Sequence, residues 1–153
     1  MVTHAHPASP AWPSWTGPVE HLALPAVPEA TGTALAWLEA LGEQAHWPHR
    51  ARTSLLLCAD EALANIALHA RTPTGDPARI ELFCGPTEHG IALRIEDDGA
   101  AFDPTVQASP ALAASLEDAD IGGHGLRLMR HFLRQMLYLR EGQRNVLLLE
   151  VPH

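Results

Sequence analysis

The side chains that first suggest chemistry lie in the stretch ADEALANIALHA, residues 59–70, which is otherwise typical of a helix. It contains no glycine or proline, yet Glu61, Asn65 and His69 follow one another at intervals of four. At 3.6 residues per turn these positions share one face. Asparagine is unfavourable inside a helix, because its amide competes for backbone hydrogen bonds. An amide between a carboxylate and an imidazole is therefore a candidate ligand site.

Two further polar segments interrupt apolar sequence. Asp97-Asp98-Gly99 ends a strand-like run, and Gly122-Gly123-His124-Gly125 precedes a helical pattern. Taken singly, each of the three segments has an ordinary explanation. Residues 97–99 could be a strand-ending turn, residues 122–125 a joint before a helix, and Glu61 and Asn65 part of a solvated helix face. Their joint occurrence, in this order and on these elements, favours a functional site.

The chemistry that fits all three segments is nucleotide binding. A helix that begins with small residues offers free N–H groups and a positive dipole end to phosphate. An asparagine oxygen suits Mg²⁺, which takes oxygen ligands and bridges phosphates. A carboxylate one turn earlier can deprotonate an attacking hydroxyl group. An aspartate at the end of a strand can accept a hydrogen bond from the exocyclic amine of adenine. The chain contains neither the P-loop motif nor the dinucleotide-binding fingerprint.

The elements that must position these residues follow from hydrophobic periodicity and from Pro and Gly breaks. The sequence predicts strands over 19–24, 78–85, 90–97 and within MLYLRE and RNVLLLEV, and helices over 29–45, 50–70 and from 122 onward. The last helix is predicted to place Leu126, Met129, Leu133 and Met136 on one face. This order predicts an α+β fold: a two-layer α/β sandwich with a mixed, mostly antiparallel sheet and helices on one face.

Composition excludes several classes of protein. With 153 residues, a formal charge of −8 and only ten Lys and Arg residues, the chain is one ordinary domain without the basic face of a nucleic-acid binder. No apolar run is long enough for a membrane span, and the N-terminus lacks the pattern of a secretory signal. We therefore expect a cytoplasmic protein with a flexible tail over 1–17 and one domain over 18–153. Cys58 and Cys84 are expected to be reduced and buried.

The three segments together resemble the GHKL ATPase superfamily, and within it the small anti-sigma-factor serine/threonine protein kinases of bacteria. Residues 61–70 resemble the N box of this family, residues 95–104 its first glycine box in a variant that ends Phe-Asp-Pro, and residues 122–129 its second glycine box. GQRNVL, residues 142–147, resembles the last hairpin of these kinases. The resemblance covers nearly all of the chain after residue 18 and implies the Bergerat type of sandwich.

The resemblance also implies roles for individual residues. Asn65 would coordinate Mg²⁺ and the phosphates of ATP, and Glu61 would be the catalytic base toward a serine of a protein substrate. Asp97 would bind the adenine amine, with Gly99 shaping the turn beside the base.

The phosphate end depends on the second glycine box. Gly123, His124 and Gly125 would lie against the phosphates, and residues 105–120 would form the ATP lid. This predicted lid contains no Lys or Arg, although a γ-phosphate usually has a cation beside it.

At the level of function, the resemblance implies an ATP-binding anti-sigma factor that phosphorylates an antagonist protein and sequesters a sigma factor. Direct nucleic-acid or membrane binding is not implied, and a homodimer is left open. Two alternatives remain: a catalytically weak or inactive GHKL module that regulates a partner by binding, and a stand-alone ATP-binding domain of a histidine kinase system.

Overall fold

The computed structural model describes residues 12–69, 72–105 and 129–153. These residues form five strands and two long helices. In chain order they are β1 (Glu20–Pro25), α1 (Pro28–Gln44), α2 (His49–His69), β2 (Arg79–Thr87), β3 (Gly90–Asp97), β4 (Gln135–Glu141) and β5 (Arg144–Pro152). The predicted elements in these ranges are all present, with bounds that differ by one or two residues.

The five described strands form a single sheet in the order β1-β2-β3-β5-β4, and every neighbouring pair is antiparallel. The predicted antiparallel character is confirmed, whereas no parallel pair occurs among the described strands. The β2–β3 and β4–β5 connections are tight hairpins, and such turns join only antiparallel neighbours. Gly142 adopts the left-handed conformation, with φ of 60°, in the β4–β5 turn.

Strand β2 is longer than the sequence predicts. The predicted connection began at Pro86, but Pro86 pairs with Ile91 inside the hairpin, and Thr87 pairs with Gly90. Proline is tolerated there because β1 reaches along β2 only as far as Cys84, so that this end of β2 lies beyond β1.

The two helices pack on one face of the sheet, as predicted. Helix α2 buries an apolar side rich in Ala and Leu, including Leu55, Leu63 and Ile66. Alternate residues of the central strands point toward it, among them Leu93 and Leu149, which are fully buried. Each such leucine contributes roughly 1.5–3 kcal/mol by leaving water. Other members of this core are Ala34, Leu38, Cys58, Ala59, Ala62, Ile80, Leu82, Cys84, Ile91, Ile95 and Val151.

The opposite face of the sheet is partly covered by the N-terminal segment. Trp12 and Trp15 pack on Ala92, Leu137 and Leu148, and Trp15 forms an antiparallel bridge with β2. The prediction of a flexible tail over 1–17 therefore does not describe residues 12–17, because the burial of two indole rings outweighs their loose composition. Residues 1–11 of that predicted tail lie outside the described residues.

The third predicted helix is only partly within the described chain. Residues 129–132 are helical, and Met129 is buried in the core. The placement of Met136 on this helix is wrong, because Met136 lies in β4 and pairs with Leu149. Strand alternation, rather than helical spacing, places its partly buried side chain against the core. Residues 106–128, which include the predicted start of the helix, lie outside the described chain.

A buried carboxylate secures the segment between this helical turn and β4. Glu150 is fully buried on β5. Its carboxylate accepts hydrogen bonds from the Thr87 hydroxyl at 2.6 Å and from Gln135 at 2.8 Å, and it forms an ion pair with Arg134 at 3.2 Å. Since Arg134 directly follows the turn that holds Met129, this network fixes where the turn lies.

Cys58 and Cys84 are free and buried, as predicted. Burial raises the pKa of both thiols to about 12, so they act as small apolar side chains. Among the described helices, none is long and apolar enough to span a membrane.

Candidate functional site

A small cleft lies between α2, the end of β3 and the β4–β5 hairpin. The polar groups that line it come from three separate elements, and apolar side chains lie between them. The lining residues are Ala62, Asn65, Ile66, His69, Asp97, Ala100, Phe102, Pro104, Met129, Tyr138, Asn145 and Leu147. An apolar cleft with a few convergent polar groups is the usual form of a small-molecule site.

Helix α2 brings Asn65 to the wall of the cleft. The side chain is partly buried, and its amide makes no hydrogen bond with another described residue. It therefore remains available to a ligand. The helix forms despite this asparagine because strong helix formers surround it and its opposite side is packed on the sheet.

Glu61 lies one turn before Asn65 on the same helix, at the edge of the cleft rather than in its lining. It is partly buried. Burial raises the pKa of its carboxyl group, and the neighbouring charge of Asp60 raises it further. A carboxylate of raised pKa, beside a cleft, has the properties of a general base.

Asp97 lies at the floor of the cleft, as the last residue of β3, and is only 3% exposed. Its Oδ1 accepts hydrogen bonds from the Gly99 N–H and from the Asn145 amide, both at 3.0 Å. Burial raises the pKa of Asp97, and these two hydrogen bonds oppose that rise. No described residue donates to Oδ2, which leaves that oxygen for a donor in the cleft.

Asn145 connects the turn after β3 to the last hairpin. Its Nδ2 donates to Asp97 and to the Ala100 carbonyl at 2.9 Å. Its Oδ1 accepts from the Tyr138 hydroxyl at 2.5 Å, from Arg140 at 3.1 Å and from the Phe102 N–H at 3.3 Å. Every polar atom of this buried amide is thus used, and a fully satisfied network of this kind is rigid.

The register of the sheet explains this convergence. Asn145 lies directly opposite Asp97 in the β3–β5 pair and opposite Arg140 in the β4–β5 pair. Arg140 also donates to the Gly99 carbonyl at 2.8 Å. The predicted role of Gly99 in shaping the turn thus coincides with two hydrogen bonds to its backbone.

The sequence does not identify three residues of the site, namely Tyr138, Arg140 and Asn145. Asn145 belongs to the segment that resembles the last hairpin of the family, but no role in the site was predicted for it. The available signal was weak: single polar residues within the apolar runs MLYLRE and RNVLLLEV. Their function depends on strand register, which the spacing within each run does not reveal.

His69 is the last residue of α2. Its imidazole stacks on the Phe102 ring, with 4.7 Å between centroids and an interplanar angle of 14°. Both residues line the cleft, so this stacked pair forms part of its wall and joins the N-box helix to the first glycine box.

The phosphate end of the predicted site is only partly described. Gly123, His124 and Gly125 lie outside the described residues, as does the predicted lid after Thr105. At the start of the lid, the Asp103 carboxylate accepts hydrogen bonds from the N–H and the hydroxyl of Thr105. Arg130 donates to the Thr105 carbonyl.

Comparison with known proteins is consistent with this geometry. Residues 24–151 match the family model of the histidine kinase-like ATPase domain. The serine/threonine-protein kinase BtrW of Bordetella bronchiseptica is 54% identical over 107 residues, which cover 70% of this chain and 75% of that protein. These matches agree with the resemblance drawn from the three boxes: the chain belongs to the histidine kinase-like ATPase family.

Proposed function

We propose that the protein binds ATP with Mg²⁺ in the cleft and transfers the γ-phosphoryl group to a serine or threonine of a partner protein. The observation that carries this proposal is the buried Asp97 carboxylate, held through Oδ1 by Asn145, with Asn65, which bonds to no described residue, lining the same cleft from the facing helix. The 54% identity to a serine/threonine-protein kinase supports the choice of reaction.

At the floor of the cleft, Asp97 would recognise adenine. Its Oδ2 is an acceptor that no described residue occupies, and the exocyclic amine of adenine is a donor. A guanine would present a carbonyl oxygen at the same position, where two acceptors would repel each other. Gly99 keeps the turn close to the base without a side chain.

At the phosphate end, Asn65 would be the protein ligand of Mg²⁺. Within the described ranges no three His, Cys, Asp or Glu side chains converge as a metal site, so the ion would take its other ligands from phosphate oxygens and water. This is the usual way in which Mg²⁺ binds with nucleotides. Gly123, His124 and Gly125 would contribute backbone N–H groups to the phosphates.

Glu61 would act as the base that accepts the proton of the attacking hydroxyl group. Its raised pKa makes it a stronger base than an exposed glutamate. Its position one turn from Asn65 places the base beside the predicted phosphate site.

The regulatory role would follow from this chemistry. We propose that the phosphorylated protein is the antagonist of an anti-sigma factor and that the present chain sequesters a sigma factor in the cytoplasm, as a monomer or a homodimer. The family and the kinase name of the relative support this role.

The first experiment measures ATP binding by calorimetry, with and without Mg²⁺, on the wild type and on Asn65→Ala. We expect micromolar binding that requires both the ion and Asn65. Leu139→Ala, on the other face of the sheet, serves as a control that should bind normally. Absence of binding by the wild type in Mg²⁺ would contradict the proposal.

The second experiment tests transfer, using γ-labelled ATP and Glu61→Gln. We expect acid-stable phosphate on serine or threonine with the wild type, and at least a hundredfold lower rate with the variant. Acid-labile phosphate would instead indicate phosphohistidine and favour the ATP-binding domain of a histidine kinase system.

A binding module without catalysis is the second candidate, and one observation favours it. The predicted lid, residues 105–120, has no Lys or Arg, and the described Arg130 is engaged with the Thr105 carbonyl. This candidate predicts that Glu61→Gln leaves partner binding unchanged and that the wild type transfers no phosphate.

A further inference from the structure

The outer side of α2 carries two leucines with large exposed fractions. Leu68 is 72% exposed and Leu57 is 41% exposed, whereas large apolar side chains of the described residues are otherwise mostly buried. The other exposed large apolar side chains of the described residues are Val19, just before β1, and Leu139 on β4. Two exposed leucines on one helix therefore require an explanation.

The two leucines lie on the same side of the helix, and Glu61 lies between them. At 3.6 residues per turn, Leu57 and Leu68 differ by only about 20° around the axis, and Glu61 lies within about 40° of both. Along the axis, Glu61 is about 6 Å from Leu57 and about 10 Å from Leu68. The exposed Ala64 fills the same stripe.

Because this inference rests on the proposed function, the position of Glu61 decides what can cover the stripe. A base accepts a proton only from a hydroxyl group within hydrogen-bonding distance. A protein that brings a serine or threonine hydroxyl to Glu61 must lie against the surface on both sides of it. The side chains on that surface are Leu57, Ala64 and Leu68.

We propose that this stripe is the docking surface for the protein substrate. The substrate would present apolar side chains on both sides of its acceptor hydroxyl, over a length of about 16 Å. Leu57 and Leu68 would bind the acceptor protein and have no part in binding ATP, since neither lines the cleft.

The test compares Leu57→Ser, Leu68→Ser and the double variant with Leu139→Ser. Leu139 is the matched control, since its 43% exposure is close to the 41% of Leu57 while it lies on β4, on the sheet face opposite the helices. The acceptor is the protein substrate of the Bordetella kinase. Initial transfer rates are measured at limiting and at saturating acceptor, and ATP affinity is measured by calorimetry.

We expect the double variant to raise the KM for the acceptor by roughly tenfold or more, as for the loss of two interface leucines. We also expect little change in kcat and in ATP affinity, and normal kinetics for Leu139→Ser. An unchanged KM, or an equal rise with Leu139→Ser, would overturn the docking surface.

Two other outcomes would also overturn it, each in a distinguishable way. A change in oligomeric state with normal KM would assign the stripe to contacts between copies of the chain. Absence of transfer by a wild type that binds ATP would remove the catalytic half of the proposed function and the docking surface with it, whereas absence of ATP binding would contradict the nucleotide site itself.

Discussion

The two ends of the cleft differ in how their polar groups are satisfied. At the β3–β5 end, Asn145 uses all of its polar atoms in hydrogen bonds to Asp97 and the surrounding turn. At the α2 end, the Asn65 amide has no such partner among the described residues. The first end is therefore set before a ligand arrives, and the second depends on the ligand to complete it.

The two ends of the cleft should therefore respond differently to mutation. A change at the preorganised end should affect both folding and binding, because the same hydrogen bonds serve both. A change at the open end should affect binding with little cost to folding. Substitutions at the two ends should separate these effects.

The largest effect is expected for Asp97→Asn. The asparagine side chain has the same shape as the aspartate and keeps one oxygen to accept the hydrogen bonds from Gly99 and Asn145. Its NH2 group, however, then faces the adenine amine, and both groups are donors. We expect the Kd for ATP to rise roughly a hundredfold, since a buried donor is then left without an acceptor. Calorimetry measures it, with GTP as a parallel ligand, and a change below threefold would contradict adenine recognition by Asp97.

Asn145→Ala should destabilise the fold. It removes two donors from the Asp97 turn and leaves the Tyr138 hydroxyl and the Arg140 guanidinium without their shared acceptor. We expect a loss of roughly 2 kcal/mol in the free energy of unfolding, measured with denaturant, together with weaker ATP binding. Unchanged stability would show that the network is not rigid in solution.

Asn65→Ala should have the opposite signature. Alanine is the better helix former, so we expect the free energy of unfolding without nucleotide to stay the same or rise by up to about 0.5 kcal/mol. The same variant should lose the stabilisation that Mg²⁺ and ATP give to the wild type. Thermal unfolding with and without nucleotide measures both effects. A clear loss of stability without nucleotide would break the contrast between the two ends.

The smallest effect is a shift in pH dependence through Asp60. Burial and the Asp60 charge raise the pKa of Glu61, so the base ionises, and transfer accelerates, at a higher pH than for an ordinary glutamate. Asp60→Asn should move this acidic limb of the kcat profile to lower pH. A shift in the other direction would exclude Glu61 as the titrating base.

The raised pKa of Glu61 also makes the stability of the wild type depend on pH. A carboxyl group whose pKa is raised in the folded state stabilises that state most at a pH below the ordinary carboxyl pKa. This stabilisation is lost as the pH rises through the raised pKa. Glu61→Gln, which stays neutral, should therefore differ least from the wild type in acid and become more stable than the wild type as the pH rises through the raised pKa and beyond.

The sequence allowed the helical residues of the site to be predicted, because their geometry is local. Glu61 and Asn65 share a face through helix spacing alone, and Asp97 follows from the end of one strand. The partnership of Asp97 with Asn145 could not be predicted in this way, because it joins residues 48 positions apart through the register of β3 and β5.

Other parts were missed for related reasons. The stack of His69 on Phe102 also depends on tertiary structure. Met136 fits both a helical and an alternating pattern, and only the pairing of β4 with β5 decides between them. The composition of the segment with Trp12 and Trp15 predicts a loose tail. The prediction fails because the two tryptophans pack on strand residues that are distant in the sequence.

The N-terminal tryptophan segment also limits which sequences evolution can accept on β2. A side chain added at Gly85 would meet the Pro18 carbonyl oxygen at 2.9 Å and the Trp15 ring at 3.3 Å. Glycine at position 85 is therefore tied to the path of the chain from Trp15 to Val19, whose backbone makes the closest of these contacts. Larger residues should occur at this position only in relatives whose chain before β1 takes another course.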